Sequence, residues 1–481
     1  MASNLDKAYD PDLFRRMGHQ LVDMLADYLE SLRNGTKMPV YAHKDPDERV
    51  KEFETDFSVP EDDLNRLFKR VLEESIHIHH PGYLGHQVSP PLPVTVLSGM
   101  MSQLLNNGAA VYEMGAVSVA MEKTVMRFMA QSLGLADGAD GIFTSGGSMG
   151  NLTAMLALRQ FRSGYNVWED GVDGESRIGI LMSEDVHYSI PKAIQIMGLG
   201  DEAVIRVPVG SGHKLTASVL EKYFYKTKSE GIKPVAVVAG ACNTATGTYD
   251  PLSEIAEFCQ KFNLWFHVDA AHGGAAIFSE KHAERLKGIE HADSIVIDFH
   301  KMMLVPALNT LVLFKNGDKS FQTFSQHASY LFEKNKVKEW YNMAGRTLEC
   351  TKNMMGFQAY TALKSNGAGL IGSYVDTTYE LATQFASKLA GRNDFELPLQ
   401  PESNIICFRF VQDGQEEDRL NEMNAFIRKT IVEEGEYYLV QTMLDKKLYL
   451  RLSLMNPFTS IQDLDNLIER ITEKAKKAGF I

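Results

Sequence analysis

A histidine and a lysine stand side by side at the end of an apolar run in DSIVIDFHKMMLVP, residues 293–306. The letters SIVI predict a strand inside the protein, and His300 and Lys301 come just after that strand. Lys301 is either a strand-end lysine that reaches solvent or an amine held in a dry pocket. Burial lowers the pKa of an amine and makes it nucleophilic toward carbonyl groups.

An aspartate ends a second apolar run. In LWFHVDAAHGG, Asp269 comes before small residues and a Gly-Gly pair. An unpaired buried carboxylate is costly, so Asp269 needs a partner. That partner is a helix N-terminus, an arginine or a protonated ring nitrogen.

Two further strand ends carry polar residues. GIFTSGGSMGN, residues 141–151, predicts a strand, a Gly/Ser turn and a helix, and backbone N–H groups at a helix start suit phosphate. The stretch matches neither Walker A nor GxGxxG, and a tight structural turn is the alternative. His187, in SEDVHYSIPKA, follows a strand that ends near Met182, and a hydrogen-bonded loop histidine is its alternative.

Together these features supply what one pyridoxal phosphate needs. They are a phosphate cradle, a flat group over the ring, an acid for the pyridine nitrogen and a lysine for the aldehyde. The order of glycine loop, histidine, aspartate and lysine, all at predicted strand ends, is more specific than any one member.

The elements that must position these residues are short apolar runs separated by helical stretches. The predicted strands are Gly141–Thr144, Ile178–Met182, Val235–Ala239, Leu264–Val268, Ser294–Ile297 and Thr310–Phe314. Strands that alternate with helices favour a mainly parallel α/β sheet, whose ligand lies beyond the carboxyl ends of the strands. After about residue 370, NIICFRFV, KLYLRLSLMNP and a closing helix favour a smaller α+β domain.

An amphipathic helix is predicted near the N-terminus, with Asp10 as its cap, Pro11 in its first turn and Gly35 at its end. Its apolar stripe must pack on this chain or on a second subunit. The stripe consists of Phe14, Met17, Leu21, Met24, Leu25, Tyr28 and Leu32.

Composition excludes several function classes. A formal charge of −13 over 481 residues argues against a nucleic-acid surface. No run of 18 residues is apolar and uncharged, so no membrane span is expected, and the N-terminus lacks the pattern of a secretion signal. Four scattered cysteines form neither a metal motif nor a disulfide framework, which favours a reducing cytoplasm.

The sequence resembles the group II pyridoxal-phosphate-dependent amino-acid decarboxylases, from about HHPGYLGHQVSPP to YLRLSLMNP. The specific parts are FTSGGSMGN, HVDAAHGG, DFHK and QHASYLF, of which the last, with VYEMG, is most similar to the glutamate and cysteine-sulfinate branch. The resemblance implies a fold type I transferase-like protein with a mainly parallel seven-stranded sheet. The expected divisions are an N-terminal helical segment 1–78, a cofactor-binding domain 79–368 and a small α+β domain 369–481. A homodimer with active sites at its interface is also implied.

The resemblance assigns roles position by position. Lys301 would bond to the cofactor aldehyde, Asp269 would pair with the pyridine nitrogen, and His187 would stack on the ring. Tyr330, in HASYLF, would donate a proton to the substrate carbon from a mobile loop. The remaining cofactor-binding candidates are Gly147, Ser148, Thr244, Ala271, Asp298 and His300.

The stretch GHQVSPP, residues 85–91, matches the substrate-side wall of the family. Aromatic-amino-acid enzymes have an apolar lining there, whereas this chain has His86 and Gln87, with Ser89 close by. Buried polar groups favour a substrate that satisfies them, so glutamate, aspartate or cysteine sulfinate is expected. Arg451 matches an arginine associated with the substrate carboxylate. A purely structural His86 is the alternative, and diaminobutyrate or an aromatic amino acid are alternative substrates.

Other activities share parts of this pattern. An aminotransferase or an aldolase would have the same aspartate–lysine pair, although DFHK and the Tyr330 loop favour decarboxylation. HIHH, residues 77–80, places His77 and His79 on one face of a strand, which permits a metal-binding protein, but no further ligands complete a site. A catalytically silent scaffold is the third alternative.

Overall fold

The computed structural model describes residues 4–33, 38–58, 63–172, 177–210, 212–324 and 339–479. The chain divides into two compact units. The large unit consists of Gln87–Ser387 and Pro398–Cys407, and the small unit consists of Met1–His86, Lys388–Leu397 and Phe408–Ile481. The N-terminal helices and most of the C-terminal region therefore share one unit. The three-domain division at residues 78 and 368 stays a prediction.

The helices are α1 Asn4–Ala8, α2 Pro11–Arg33, α3 Pro46–Glu52, α4 Leu64–Glu74, α5 Pro93–Leu105, α6 Tyr112–Ser132, α7 Gly147–Arg162, α8 Val167–Asp170, α9 Ser189–Ile196, α10 Ala217–Ser229, α11 Leu252–Phe262, α12 Asp318–Thr323, α13 Met355–Asn366, α14 Ala368–Ala390, α15 Glu417–Glu434 and α16 Ile461–Lys477. The strands are β1 Asp140–Thr144, β2 Ile178–Ser183, β3 Val204–Val207, β4 Lys233–Gly240, β5 Trp265–Asp269, β6 Ser294–Asp298, β7 Thr310–Phe314, β8 Phe395–Glu396, β9 Ile405–Phe410, β10 Val440–Leu444 and β11 Lys447–Ser453.

The large unit is built on a seven-stranded sheet in the order β1-β7-β6-β5-β4-β2-β3. Neighbouring strands from β6 to β3 are parallel, and β7 runs antiparallel to both β6 and β1. The predicted α/β fold with a mainly parallel seven-stranded sheet is confirmed.

Helices bury the strands of this sheet. Every residue of β2, β6 and β7 is buried, while α7 packs against β1, β5, β6 and β7, and α10 and α11 pack against β4. Strands covered in this way carry continuous apolar runs, which is why the sequence shows them clearly. The strand that the sequence did not predict is β3, a short edge strand whose side chains are mostly only partly buried.

The direction of the strands decides where polar side chains can meet. Because β1, β2, β4, β5 and β6 point the same way, their carboxyl ends lie along one edge of the sheet. The antiparallel β7 starts at that edge, where Thr310 pairs with Thr144 on one side and with Asp298 on the other. This edge is the place where the candidate residues converge.

The small unit contains the predicted N-terminal helix as α2. Asp10 caps it, since its Oδ1 accepts the backbone N–H of Asp12 at 2.9 Å, whereas Gly35 lies outside the described residues. Leu32 is buried, but Phe14 on the same stripe is 53% exposed. The unit also contains β8, β10, β11 and the second half of β9, from Phe408 on, which belong to a four-stranded sheet in the order β10-β11-β9-β8. Helix α15 packs against β10 and β11. Within the described ranges, no helix is long and apolar enough to cross a membrane.

Candidate active site

A cavity of about 300 Å³ lies at the carboxyl edge of the large sheet. Its wall includes Gly147, Ser148, His187, Thr244, Asp269, Ala271, Asp298, His300 and Lys301, which are all the cofactor-binding candidates of the sequence. The rest of the wall consists of Ser145, Gly146, Asn151, Val186, Ser189, Gly240, Cys242, Asn243, His272 and Leu308. The structure therefore brings these candidates together, and their individual roles stay predictions.

Lys301 is held by a buried carboxylate. Its Nζ lies 2.9 Å from Asp298 Oδ2, and the Thr310 hydroxyl donates to Asp298 Oδ1 at 2.5 Å. Burial by itself would lower the pKa of Lys301, but the carboxylates of Asp298 and Asp269 outweigh it and raise that pKa. The contact with Asp298, which the sequence did not show, thus offsets the effect of burial on the lysine.

Asp298 is kept ionised by its neighbours. Burial favours its neutral form, but Lys301 and His300 have the larger combined effect and lower the pKa of this carboxyl. The His300 Nε2 lies 3.7 Å from Asp298 Oδ2, while its Nδ1 lies 3.0 Å from the carbonyl oxygen and 3.2 Å from the backbone nitrogen of Asn309. The DFHK stretch is thus a compact charged group just beyond β6.

Ser89 stabilises the backbone of this group with a hydrogen bond. Its hydroxyl donates to the backbone carbonyl of Lys301 at 2.5 Å, and the N–H of Lys301 donates to the carbonyl of Asp298 at 3.2 Å. Ser89 therefore orders the backbone that presents the lysine. Its predicted contact with substrate stays a prediction.

The turn between β1 and α7 brings backbone close to the same group. Gly146 has φ +104°, which favours glycine, and a Cβ on Gly147 would lie 2.9 Å from Asp298 Oδ2. The first N–H groups of α7 have no partners inside the helix and can bind an anion. This helix start lines the same cavity as Lys301 and His300, and these donors together suit the phosphate of pyridoxal phosphate.

Asp269 is oriented by two donors. Its Oδ2 accepts Nδ2 of Asn151 at 3.0 Å, and its Oδ1 accepts the N–H of Ala271 at 3.1 Å. A carboxylate fixed in this way can hold a proton on a ring nitrogen. The sequence analysis missed Asn151, although the residue lies one helical turn after Gly147 and so on the same face of α7.

His187 is a neutral imidazole in this site. Burial lowers its pKa, and the charges of Asp269, Lys301 and Asp298 act in opposing directions and do not reverse that shift. The Nδ1 atom lies 2.7 Å from the hydroxyl of Ser189. An uncharged flat ring in the wall suits stacking on a pyridine ring.

The substrate candidates are placed differently. The described wall of the cavity does not include His86, Gln87, Ser89 or Arg451. His86 Nε2 lies 3.1 Å from the hydroxyl of Tyr438 in the small unit, where Arg451 is also located and buried. The substrate roles of these residues stay predictions, and Tyr330 lies outside the described residues.

The donor set of the cavity fits pyridoxal phosphate rather than a metal ion. A lysine amine, an oriented carboxylate, a neutral ring and a helix start meet in one cavity. Among the residues that the structure describes, no group of three or more His, Cys, Asp or Glu side chains is arranged to hold a metal. His77, one of the histidines considered for metal binding, lies with Nδ1 3.1 Å from the hydroxyl of Tyr28.

Comparison with known proteins agrees with this site. An aromatic-L-amino-acid decarboxylase of Bacillus atrophaeus is 27% identical and aligns over 100% of this chain and 98% of its own length. The acidic amino acid decarboxylase GADL1 of Bos taurus is 30% identical over 85% of this chain and 80% of its own. The crystal structure of mouse CSAD has a TM-score of 0.88 and 24% identity, covers 97% of this chain and 99% of its own, and supports the fold.

The family model described as the pyridoxal-dependent decarboxylase conserved domain matches residues 50–411. That range includes β1 to β7 and the complete wall of the cavity. The chain therefore belongs to the pyridoxal-dependent decarboxylase family and is a pyridoxal-phosphate-dependent amino-acid decarboxylase.

Proposed function

We propose that this decarboxylase acts on an acidic amino acid, which is glutamate, aspartate or cysteine sulfinate. The observation that carries the proposal is the polarity of the cofactor cavity, whose described wall does not include the predicted substrate contacts His86, Gln87 and Arg451. In the described part of the chain, no phenylalanine, tyrosine or tryptophan lines the cavity, whereas Ser148, Asn243, Thr244 and His272 do. A polar wall of this kind favours the binding of a substrate that can accept hydrogen bonds.

Gln87 adds a second argument. Its amide nitrogen is buried and has no hydrogen-bond partner among the described residues. Gln87 is two residues from Ser89, whose hydroxyl contacts the backbone of Lys301. A buried donor without a partner costs about 1–3 kcal/mol, and a carboxylate or sulfinate side chain would satisfy it.

The relatives include three substrate classes, one of which is diaminobutyrate, for which a relative in Acinetobacter baumannii is named. The cattle relative is named for acidic amino acids, which supports the proposal, and the Bacillus relative is named for aromatic ones at similar identity. Decarboxylation of an aromatic amino acid is therefore the second candidate, and the experiment must separate the two.

The residues of this chain would share the chemistry as follows. Pyridoxal phosphate, when bound, accepts the electrons that remain on the substrate carbon after CO₂ leaves. Lys301 would attach the cofactor, and Asp298, whose Oδ2 lies 2.9 Å from its Nζ, would hold the amine in position. Asp269 would keep a proton on the ring nitrogen, and His187 would cover one face of the ring.

The remaining steps concern the substrate. Arg451 would bind its α-carboxylate, and His86 and Gln87 would contact its side chain. The Tyr330 hydroxyl would donate a proton to the substrate carbon, and a closed loop would exclude water at that moment. We further propose a cytoplasmic homodimer with active sites at the subunit interface, which the scattered cysteines and the half-exposed stripe on α2 support.

A CO₂-release assay on the purified, cofactor-loaded protein tests the substrate class. The panel consists of glutamate, aspartate, cysteine sulfinate, diaminobutyrate, DOPA and tryptophan. We expect release from at least one acidic substrate, and we expect Gln87→Leu to raise its KM about tenfold by removing the buried donor. Activity confined to DOPA or tryptophan would contradict the proposal. Release from none of the six would contradict decarboxylation itself.

A further inference from the structure

A buried chain of hydrogen bonds runs behind the cavity. Its inner members Trp265, Ser294, His267, Asn151 and Ser189 are almost inaccessible to solvent. His187 and Asp269 are partly buried, and all members belong to the large unit. The chain runs from Trp265 through Ser294, His267, Asn151 and Ser189 to His187, with a branch from Asn151 to Asp269. It connects two residues to which we assign cofactor contacts, and the direction of its bonds can be worked out from both ends.

The first end is an indole. Trp265 Nε1 can only donate, so the hydroxyl oxygen of Ser294, 2.9 Å away, must accept. The Ser294 hydroxyl hydrogen is then available to His267 Nδ1, which lies at 2.8 Å. His267 Nδ1 can therefore act as the acceptor nitrogen of the ring.

The second end is a carboxylate. Asp269 Oδ2 accepts the Asn151 amide nitrogen at 3.0 Å, which turns the Asn151 carbonyl oxygen toward His267 Nε2 at 3.2 Å. Because a carbonyl oxygen only accepts, Nε2 must carry the proton. The carboxylate end thus gives the neutral tautomer of His267 with its proton on Nε2, and the contact with Ser294 is compatible with it. Burial lowers the pKa of this histidine to about 4.

The branch to His187 follows the same direction. The second N–H of Asn151 donates to the Ser189 hydroxyl at 2.9 Å. The backbone N–H of Ser189 donates to His187 Nδ1 at 3.3 Å, and the Ser189 hydroxyl lies 2.7 Å from the same nitrogen. His187 Nδ1 is therefore an acceptor, and the proton of this ring is on Nε2.

We propose that Asn151 is a positioning residue that orients the Asp269 carboxylate and, through Ser189, fixes the tautomer of His187, and that His267 locks the Asn151 amide in the required orientation. A flipped amide would place its carbonyl oxygen against the Asp269 carboxylate, and the N–H of His267 Nε2 prevents this. The inference rests on the cofactor contacts proposed above for Asp269 and His187.

Cofactor titration of Asn151→Ala tests the proposal without any substrate. The loss of a hydrogen bond to a charged group predicts about tenfold weaker binding of pyridoxal phosphate. The pH at which the visible absorption of the bound cofactor changes is expected to fall by about one unit, since a less well oriented Asp269 holds the ring proton less firmly. Wild-type affinity together with a wild-type pH transition would overturn the proposal.

Two further positions separate the parts of the network. His267→Gln keeps an N–H donor for Asn151 and is expected to titrate like the wild type, whereas His267→Phe is expected to resemble Asn151→Ala. Ser189→Ala leaves the Asp269 branch intact, so we expect an unchanged pH transition and about fivefold weaker cofactor binding. If Asn151→Ala does not fold, the His267 and Ser189 variants test the proposal in its place. Equal cofactor titrations of His267→Gln and His267→Phe would contradict the claim that His267 fixes the orientation of the Asn151 amide.

Asn424→Ala is the matched control. Asn424 is a fully buried asparagine that bonds to the backbone of Phe410 in the small unit. This variant is expected to lower the melting temperature without changing the cofactor titration. If Asn151→Ala does the same and no more, its role is only structural and the proposal fails. Because these readouts need no substrate, they stay informative even if the proposed substrate class is wrong.

Discussion

A buried ion pair gives a quantitative prediction about stability. Lys352, just before α13, places its Nζ 2.7 Å from Oε1 of Glu122 on α6, and both side chains are 0% exposed. The same Glu122 oxygen accepts the backbone N–H of Phe143 in β1 at 3.1 Å. Because β1 leads into the glycine turn of the cavity, this pair anchors the strand that carries the turn.

Lys352→Met removes the ammonium group and keeps an unbranched side chain. Breaking a buried pair costs about 3–5 kcal/mol, and we expect about 3 kcal/mol because the Arg346 guanidinium also interacts with Glu122. Replacing both partners, by Glu122→Leu with Lys352→Met, removes both charges of the pair, and Arg346 keeps its partner Asp140. The double variant is expected within about 1 kcal/mol of the wild type, and the loss of the acceptor for Phe143 accounts for that remainder.

Urea unfolding at saturating cofactor, followed by circular dichroism, measures the free energy of unfolding for the wild type, both single variants and the double variant. Lys388→Met is the matched control, since Lys388 lies 2.5 Å from Asp465 in an exposed pair whose removal should cost less than 1 kcal/mol. The reasoning is refuted if Lys352→Met costs no more than this control. It is also refuted if the double variant loses the sum of the single losses.

Three further predictions concern the site. Gly147→Ala places a Cβ 2.9 Å from Asp298 Oδ2, so we expect at least about tenfold weaker binding of pyridoxal phosphate, and unchanged binding would contradict the cradle. Burial lowers the pKa of His267 to about 4, so the unfolded chain binds a proton at this histidine before the folded chain does as the pH falls below 6.5. The free energy of unfolding should therefore decrease toward pH 4, by about 2 kcal/mol between pH 6.5 and 5. The His267→Gln variant should lack this part of the pH dependence. Tyr330→Phe should lower kcat by about 10²–10⁴-fold with unchanged cofactor absorption, and a wild-type kcat would exclude Tyr330 as the proton donor.

Most of the large sheet could be predicted because both of its faces are covered. Strands such as β2 and β6 are buried along their whole length and therefore stand out as continuous apolar runs. The edge strand β3 gave no such signal, since it is short, mostly only partly buried and carries Arg206. Chain order also did not show that β7 would insert between β1 and β6.

The residues of the candidate site could also be predicted only in part. Lys301, Asp269 and His187 could be predicted to converge because parallel strands end along one edge of a sheet. The roles of Asn151 and His267 were missed, although the stretches FTSGGSMGN and HVDAAHGG contain them, since an asparagine inside a helix and a histidine inside an apolar strand indicate no chemistry by themselves. The available signal was spacing, because His267 lies two positions before Asp269 and therefore on the same face of β5.

Borohydride reduction of the cofactor-loaded protein, followed by peptide mapping with mass spectrometry, tests the central claim most directly. Reduction fixes pyridoxal phosphate to the lysine that carries it. We predict that the modified peptide contains Lys301 and that Lys301→Ala yields no modified peptide. Attachment to another lysine, or an unchanged yield from Lys301→Ala, would contradict the assignment of this cavity as the cofactor site.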